Sequence, residues 1–95
     1  MLALKMAPAL LAGNTLIAKP APTTPLATLR LGEIVAEMVP AGVFQILVGE
    51  NELGPLLAAH PDIAHVSLTG STATGRKVMA AASGTLKRLV LELAR

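Results

Sequence analysis

"HVSLTGSTATGRKVM", residues 65–79, is the stretch whose reading decides the fold. It begins with a short apolar β-prone run, "HVSLT" (65–69), and passes through a glycine-containing turn into a helical segment at 71–83. The strand–turn–helix order is the frame of a phosphate-binding loop, but the glycines fall at Gly70 and Gly75. A dinucleotide fingerprint needs three glycines as G-x-G-x-x-G, and "GSTATG" has two. A P-loop needs a lysine followed by a hydroxyl residue after its second glycine, and here Arg76 and Lys77 occupy those places. On spacing alone the stretch is a capped turn. Gly70 is expected to make the turn, Ser71 and Thr72 to cap the helix, and the exposed N–H groups of that helix to favour an anion.

The surrounding chain has the same alternation. Residues 2–12 read as a helix stopped by Gly13 and Asn14, and "TLIAK" (15–19) as a strand ending at Pro20. Thr24 is placed to cap the next helix, with Pro25 at its first position. Along that helix Ala27, Leu31, Ile34, Val35 and Met38 form an apolar stripe, with Arg30, Glu33 and Glu37 opposite. "VPAG" (39–42) ends it. "VFQILV" (43–48) is a second strand closed by Gly49. Residues 50–60 form a short helix that stops at His60, because the residue before Pro61 is excluded from helical space. "LKRLVLEL" (86–93) is a fourth strand. Strands alternating with helices of this length imply crossover connections, so the expected class is α/β, a parallel sheet with flanking helices.

Composition supports that class and narrows the functions. The chain has 95 residues, one small domain's worth, and is 53% hydrophobic with a single aromatic, Phe44. Ala, Leu, Val and Ile without large rings suit parallel strands covered on both faces. A domain this small does not easily bury so much apolar material alone, so part of it is expected to face another segment or subunit. The net charge is +2, and the basic residues are scattered without interleaved aromatics, which argues against nucleic-acid binding. His60 and His65 lack partners at metal-ligand spacing, so no metal is expected. With no cysteine there is no disulfide framework and no thiol nucleophile. Pro8 interrupts the apolar start and no stretch approaches the ~20 apolar residues of a membrane span, so a cytoplasmic location and no membrane partner are expected.

Five stretches, taken in order, are "KMAPALLAGNTLIAKP", "TPLATLRLGEIV", "PAGVFQILVG", "HPDIAHVSLTGSTATGRKVM" and "TLKRLVLEL". Together they resemble the aldehyde dehydrogenase superfamily along nearly the whole chain. The resemblance implies that residues 1–95 are a partial dinucleotide-binding domain, a Rossmann-like variant without the three-glycine loop. It implies an NAD cofactor, NADP not being excluded, and an intact parent that oxidises an aldehyde to a carboxylic acid as a homo-oligomer. By position, Lys19 matches a lysine that contacts the adenosine ribose, and Gly49 a glycine that lets adenine lie against the backbone. Thr69, Gly70 and Ser71 match the "TGS" step on the pyrophosphate side, and Thr74 falls where the adenine pocket is lined. Glu92 matches the general base that activates water against the thioester. Its neighbours Leu91 and Leu93 are expected to desolvate it, as that role favours.

The departures matter as much. Pro22 stands where the family commonly has an acidic residue that holds the ribose hydroxyls, which leaves the choice between NAD and NADP open. "ELAR" replaces "ELGG" at the end. The family's nucleophile is a cysteine, and the chain has none, so the polypeptide alone is expected to be inactive. The alternatives are a non-catalytic nucleotide-binding or interaction module derived from this fold and, from hydrophobicity alone, a membrane-associated protein. Open sheet edges and uncovered apolar faces are expected to make the chain associate.

Overall fold

The computed structural model describes residues 2–21 and 25–94, without the side chains of residues 2–4. In chain order its elements are α1 (Leu2–Leu11), β1 (Leu16–Ala18), α2 (Leu26–Ala36), β2 (Phe44–Ile46), α3 (Leu53–Ala59), β3 (His65–Ser71), α4 (Thr72–Ala82) and β4 (Arg88–Ala94). The class is α/β, and both strand pairs are parallel. The strands pair as two small sheets, β1 with β2 and β3 with β4. Each pair is joined through one crossover helix, α2 or α4, as parallel neighbours require. The chain divides correspondingly into two compact units, Met1–Glu50 and Asn51–Arg95. Among the described residues no helix is long and apolar enough to cross a membrane.

In the first unit α1 ends in a Schellman motif. Asn14 N–H bonds to Ala9 C=O and Gly13 N–H to Leu10 C=O, both at 3.1 Å, with Gly13 at φ +85°. Glycine is needed there because a side chain resists left-handed backbone. The core is Ala18, Val35 and Phe44, packed round by Met6, Leu10, Leu16, Leu31, Val39 and Ile46. Helix α2 lies close on β2, since a Cβ at Gly32 would come 2.5 Å from Ile46 Cδ1. Its predicted stripe is only half used: Val35 is buried and Leu31 half-buried, but Ile34 and Met38 are 48% and 76% exposed and Ala27 is exposed. Two strands offer too narrow a surface to cover the whole stripe. On the polar side, the Arg30–Glu33 ion pair at 2.7 Å is well exposed on both sides and contributes little. Pro25 is the N-cap residue rather than the first helical one; Thr24 and Pro22 lie outside the described residues. Strand β2 is shorter than 43–48. Leu47 N–H still bonds to Ala18 C=O at 3.0 Å, but the partner strand then runs into Pro20, which has no N–H to continue the ladder.

In the second unit α3 ends at His60, whose backbone is extended at φ −68° and ψ 128°, as Pro61 requires. The exposed His60 organises the following turn: its Nδ1 accepts from Asp62 N–H at 3.1 Å, and its carbonyl accepts from the Lys87 ammonium. Strand β3 runs two residues past the predicted end, to Ser71. Strand β4 begins at Arg88, later than predicted, because Leu86 sits in left-handed backbone at φ 52° and breaks the extended run. Register pairs Val66 with Leu89 and Leu68 with Leu91 on a half-buried face. Helix α4 packs on that face, bringing Gly75 against Leu93. The buried residues of α3 and α4 are small, Gly75, Ala58 and Ala82, which lets the two helices pack closely. The opposite face carries His65, Ser67, Thr69 and Ser71 beside Arg88, Val90, Glu92 and Ala94, and all are exposed.

Candidate functional site

The candidate residues fall at the carboxyl ends of the two parallel pairs, where open α/β sheets bind ligands. In the first unit Lys19 follows β1 directly and Gly49 lies three residues beyond β2. Lys19 is half-buried and its Nζ donates to Pro20 C=O at 3.4 Å, leaving N–H groups for a further acceptor. Gly49 is half-buried in the irregular segment after β2.

In the second unit Thr69, Gly70 and Ser71 are the last residues of β3, and Thr74 is in the first turn of α4. Ser71 is the N-cap, with extended backbone at φ −76° and ψ 158°. Its Oγ accepts from Thr74 N–H at 3.1 Å and donates to Thr74 Oγ1 at 2.9 Å. With the Ser71 proton directed at Thr74, the Thr74 hydroxyl keeps its own proton for a further acceptor. Thr72 Oγ1 donates to Ala94 C=O at 3.3 Å and ties the helix start to the end of β4. The first N–H groups of α4 open beyond the end of β3 and have no intrahelical partner. Removing the cap with Ser71→Ala is expected to cost about 1 kcal/mol of stability, read as a lowered urea midpoint with an unchanged slope.

Gly70 does not make the turn. It lies within β3 opposite Leu93, without positive φ, and a Cβ there would meet only Leu68 Cδ1 at an ordinary 3.7 Å. The glycine that sits close against a neighbour is Gly75, where a Cβ would lie 2.8 Å from Leu93 Cδ2 and 2.9 Å from Leu93 Cδ1, the flexible end of a partly exposed side chain. Residue types alone do not separate the two; only the seating of α4 on β4 does.

Glu92 is the register partner of Thr69, so the carboxylate and the threonine stand side by side on the exposed face. The flanking leucines do not desolvate it. Side chains alternate across a strand, so Leu91 and Leu93 point to the α4 side while Glu92 faces solvent. Glu92 is two register steps before Ala94, the partner of Ser71, which sets it about 7 Å along the strand from the helix cap. A carboxylate at that remove does not repel an anion seated at the α4 N-terminus as a direct neighbour would. Hydroxyls and main-chain N–H groups therefore dominate the helix start, a donor set that fits a pyrophosphate. Among the described residues no group of three acidic or histidine side chains is placed to hold a metal ion.

Residues 1–94 match the family model described as the aldehyde dehydrogenase family. A betaine aldehyde dehydrogenase of Agrobacterium fabrum is 53% identical over 90 residues, which are 94% of this chain and 18% of that protein. The solved lactaldehyde dehydrogenase of Escherichia coli superposes with a TM-score of 0.93 at 44% identity, covering 98% of this chain and 20% of that one. A betaine aldehyde dehydrogenase of Staphylococcus aureus, solved in complex with NAD+, gives a TM-score of 0.95 at 33% identity over 99% of this chain and 19% of its own. The chain spans about a fifth of the length of these relatives. With the family's motifs at the strand ends and its fold reproduced through both units, the chain belongs to the aldehyde dehydrogenase family.

Proposed function

We propose that this chain is the cofactor-binding segment of an NAD(P)-dependent aldehyde dehydrogenase, an oxidoreductase that converts an aldehyde to a carboxylic acid. The observation that carries the reading is the capped start of α4, where the Ser71 and Thr74 hydroxyls gather with the main-chain N–H groups of the first helical turn at the end of a parallel strand. Thr69, Gly70 and Ser71 would flank the pyrophosphate, and Thr74 would line the adenine pocket. Lys19 donates to ribose hydroxyls, and Gly49 lets the adenine approach the backbone. The bound nicotinamide supplies the hydride acceptor of the reaction. Glu92 takes the proton from the attacking water, and its exposure leaves it open to that water. We place the enzyme in the cytoplasm, as a homo-oligomer.

The absence of cysteine favours a second reading for the isolated polypeptide, a nucleotide-binding module without turnover. Isothermal titration with NAD and with NADP tests the cofactor reading. Micromolar binding is expected, weakened about tenfold by Lys19→Ala, the loss of one hydrogen bond from a charged donor. Heat signals no larger than those of buffer dilution for both nucleotides would overturn it. Aldehyde-dependent production of reduced cofactor by the purified chain would overturn the expectation that it is inactive alone.

A further inference from the structure

We propose that Lys87 is a positioning residue that fixes the register of β4 on β3 and thereby keeps Glu92 beside Thr69. The proposal rests on the reading of Glu92 and of the α4 start given above. The apolar side of β4 does not specify that register. Leu89, Leu91 and Leu93 are the same residue at alternate positions, so all three take the α4 side of the strand. A one-residue slip would turn Arg88, Val90 and Glu92 onto that side and is excluded by burial. A two-residue slip keeps every side chain on its own face. Leu89 would then meet Leu68, Leu91 would meet Gly70, and Glu92 would meet Ser71, the cap of α4.

Two local effects favour the slipped pairing. It draws Leu86 into the strand and releases it from left-handed backbone at φ 52°, which a leucine resists. It also sets the Glu92 carboxylate at a helix N-terminus, the favourable end for an anion, where it would occupy the pyrophosphate seat. Lys87 opposes both. Its ammonium donates to His60 C=O at the end of α3 and to Thr85 Oγ1 at 2.7 Å, and its N–H bonds to Ala82 C=O at 3.3 Å. These bonds hold the residue immediately before β4 to the ends of α3 and α4. The slip would carry Lys87 two residues, about 7 Å, along β3. The ammonium would leave His60 and come beside Val66 on the half-buried face, where a cation without a partner is costly. A contact at the amino end of the strand thus decides where the carboxylate near its other end stands.

Nuclear magnetic resonance of the 95-residue chain reads the register from cross-strand Overhauser contacts, with circular dichroism to establish folding. The unsubstituted chain should place Leu91 against Leu68 and Leu93 against Gly70. Lys87→Met keeps the length of the side chain and removes its charge and donors. It should raise the slipped population at least about tenfold, seen as a second set of contacts with Leu89 against Leu68 and Glu92 against Ser71. Lys87→Gln, with a shorter neutral donor, should show the same second set and serves if the methionine chain does not fold. Lys87→Arg, which keeps a charged donor, should retain the single set. Adding Leu86→Gly to Lys87→Met should suppress the second set, because glycine takes left-handed backbone freely. Isothermal titration with NAD connects register to site. Binding should weaken with the slipped fraction, about twofold when half the molecules have slipped, although Lys87 lies at the opposite end of the strand pair from Ser71. A folded Lys87→Met chain with the original register alone, a second set indifferent to Leu86→Gly, or NAD affinity indifferent to the slipped fraction would each overturn the proposal. No binding of NAD by the unsubstituted chain would overturn the cofactor reading instead, and the contacts would still decide the role of Lys87 in the register.

Discussion

Phe44→Ala is expected to remove about 3–5 kcal/mol of stability, enough to unfold most of a domain whose whole margin is of that order. Phe44 is the only aromatic residue and is 8% exposed at the start of β2. Its ring fills the space bounded by Ala18 and Val35, with Leu10, Leu16 and Leu31 packed against that cluster. Alanine loses the transfer energy of the ring and leaves a cavity that two short strands and two helices cannot close without moving. The size of the loss follows from how little else is buried: Ala18, Val35, Ala58 and Ala82 are the other buried apolar side chains among the described residues. Urea titration followed by circular dichroism should show a sharply lowered midpoint. By contrast, Phe44→Leu, which keeps most of the volume, should cost under about 1.5 kcal/mol. Equal losses for the two variants would mean that the ring does not organise this core.

Gly75→Val should be the most damaging change in the second unit, at about 2–3 kcal/mol. The first added carbon would already stand 2.8 and 2.9 Å from the two Leu93 methyl carbons, closer than packed atoms approach. Alanine separates two effects. It gains about 1 kcal/mol of helix propensity over glycine, while Leu93, 39% exposed, can turn its flexible end toward solvent. Gly75→Ala should therefore be near neutral, and valine, branched at Cβ and larger by two methyl groups, should not. The check is a double-mutant cycle with Leu93→Ala: removing the leucine should relieve most of the valine penalty. A valine penalty unchanged in the Leu93→Ala background would place the clash elsewhere.

Local signals were readable wherever one residue dictates a backbone conformation. Gly13 as a left-handed stop, Pro61 as the reason His60 is extended, and Ser71 as the cap of α4 all follow from covalent geometry or a single hydrogen bond. The alternation of strands and helices followed from hydrophobic periodicity, and it sufficed for the parallel class. The candidate residues were legible only through the match of several motifs in order, since a lone serine, lysine or glutamate has no distinguishing spacing. Three features were not readable. Gly70 and Gly75 look alike in "TGSTATG", and which one is packed against a neighbour depends on where Leu93 lands. The stripe on α2 is the same whether a wide or a narrow sheet lies under it, so the exposure of Ile34 and Met38 could not be deduced. Glu92 between two leucines suggested an apolar setting, yet alternation across the strand turns it to the opposite face.

What the sequence by itself determined is the order and type of the elements and the family they belong to. Those properties rest on interactions within a few residues and on motifs that survive as strings. Only the tertiary structure decided that the four strands pair two by two. It also decided that Ser71 and Thr74 share their hydroxyl bonds at the helix start, and that Thr69 and Glu92 stand side by side across a strand boundary. Those juxtapositions join residues distant in the chain. Their energies depend on register and on the seating of helix on sheet, quantities that no local window of sequence contains.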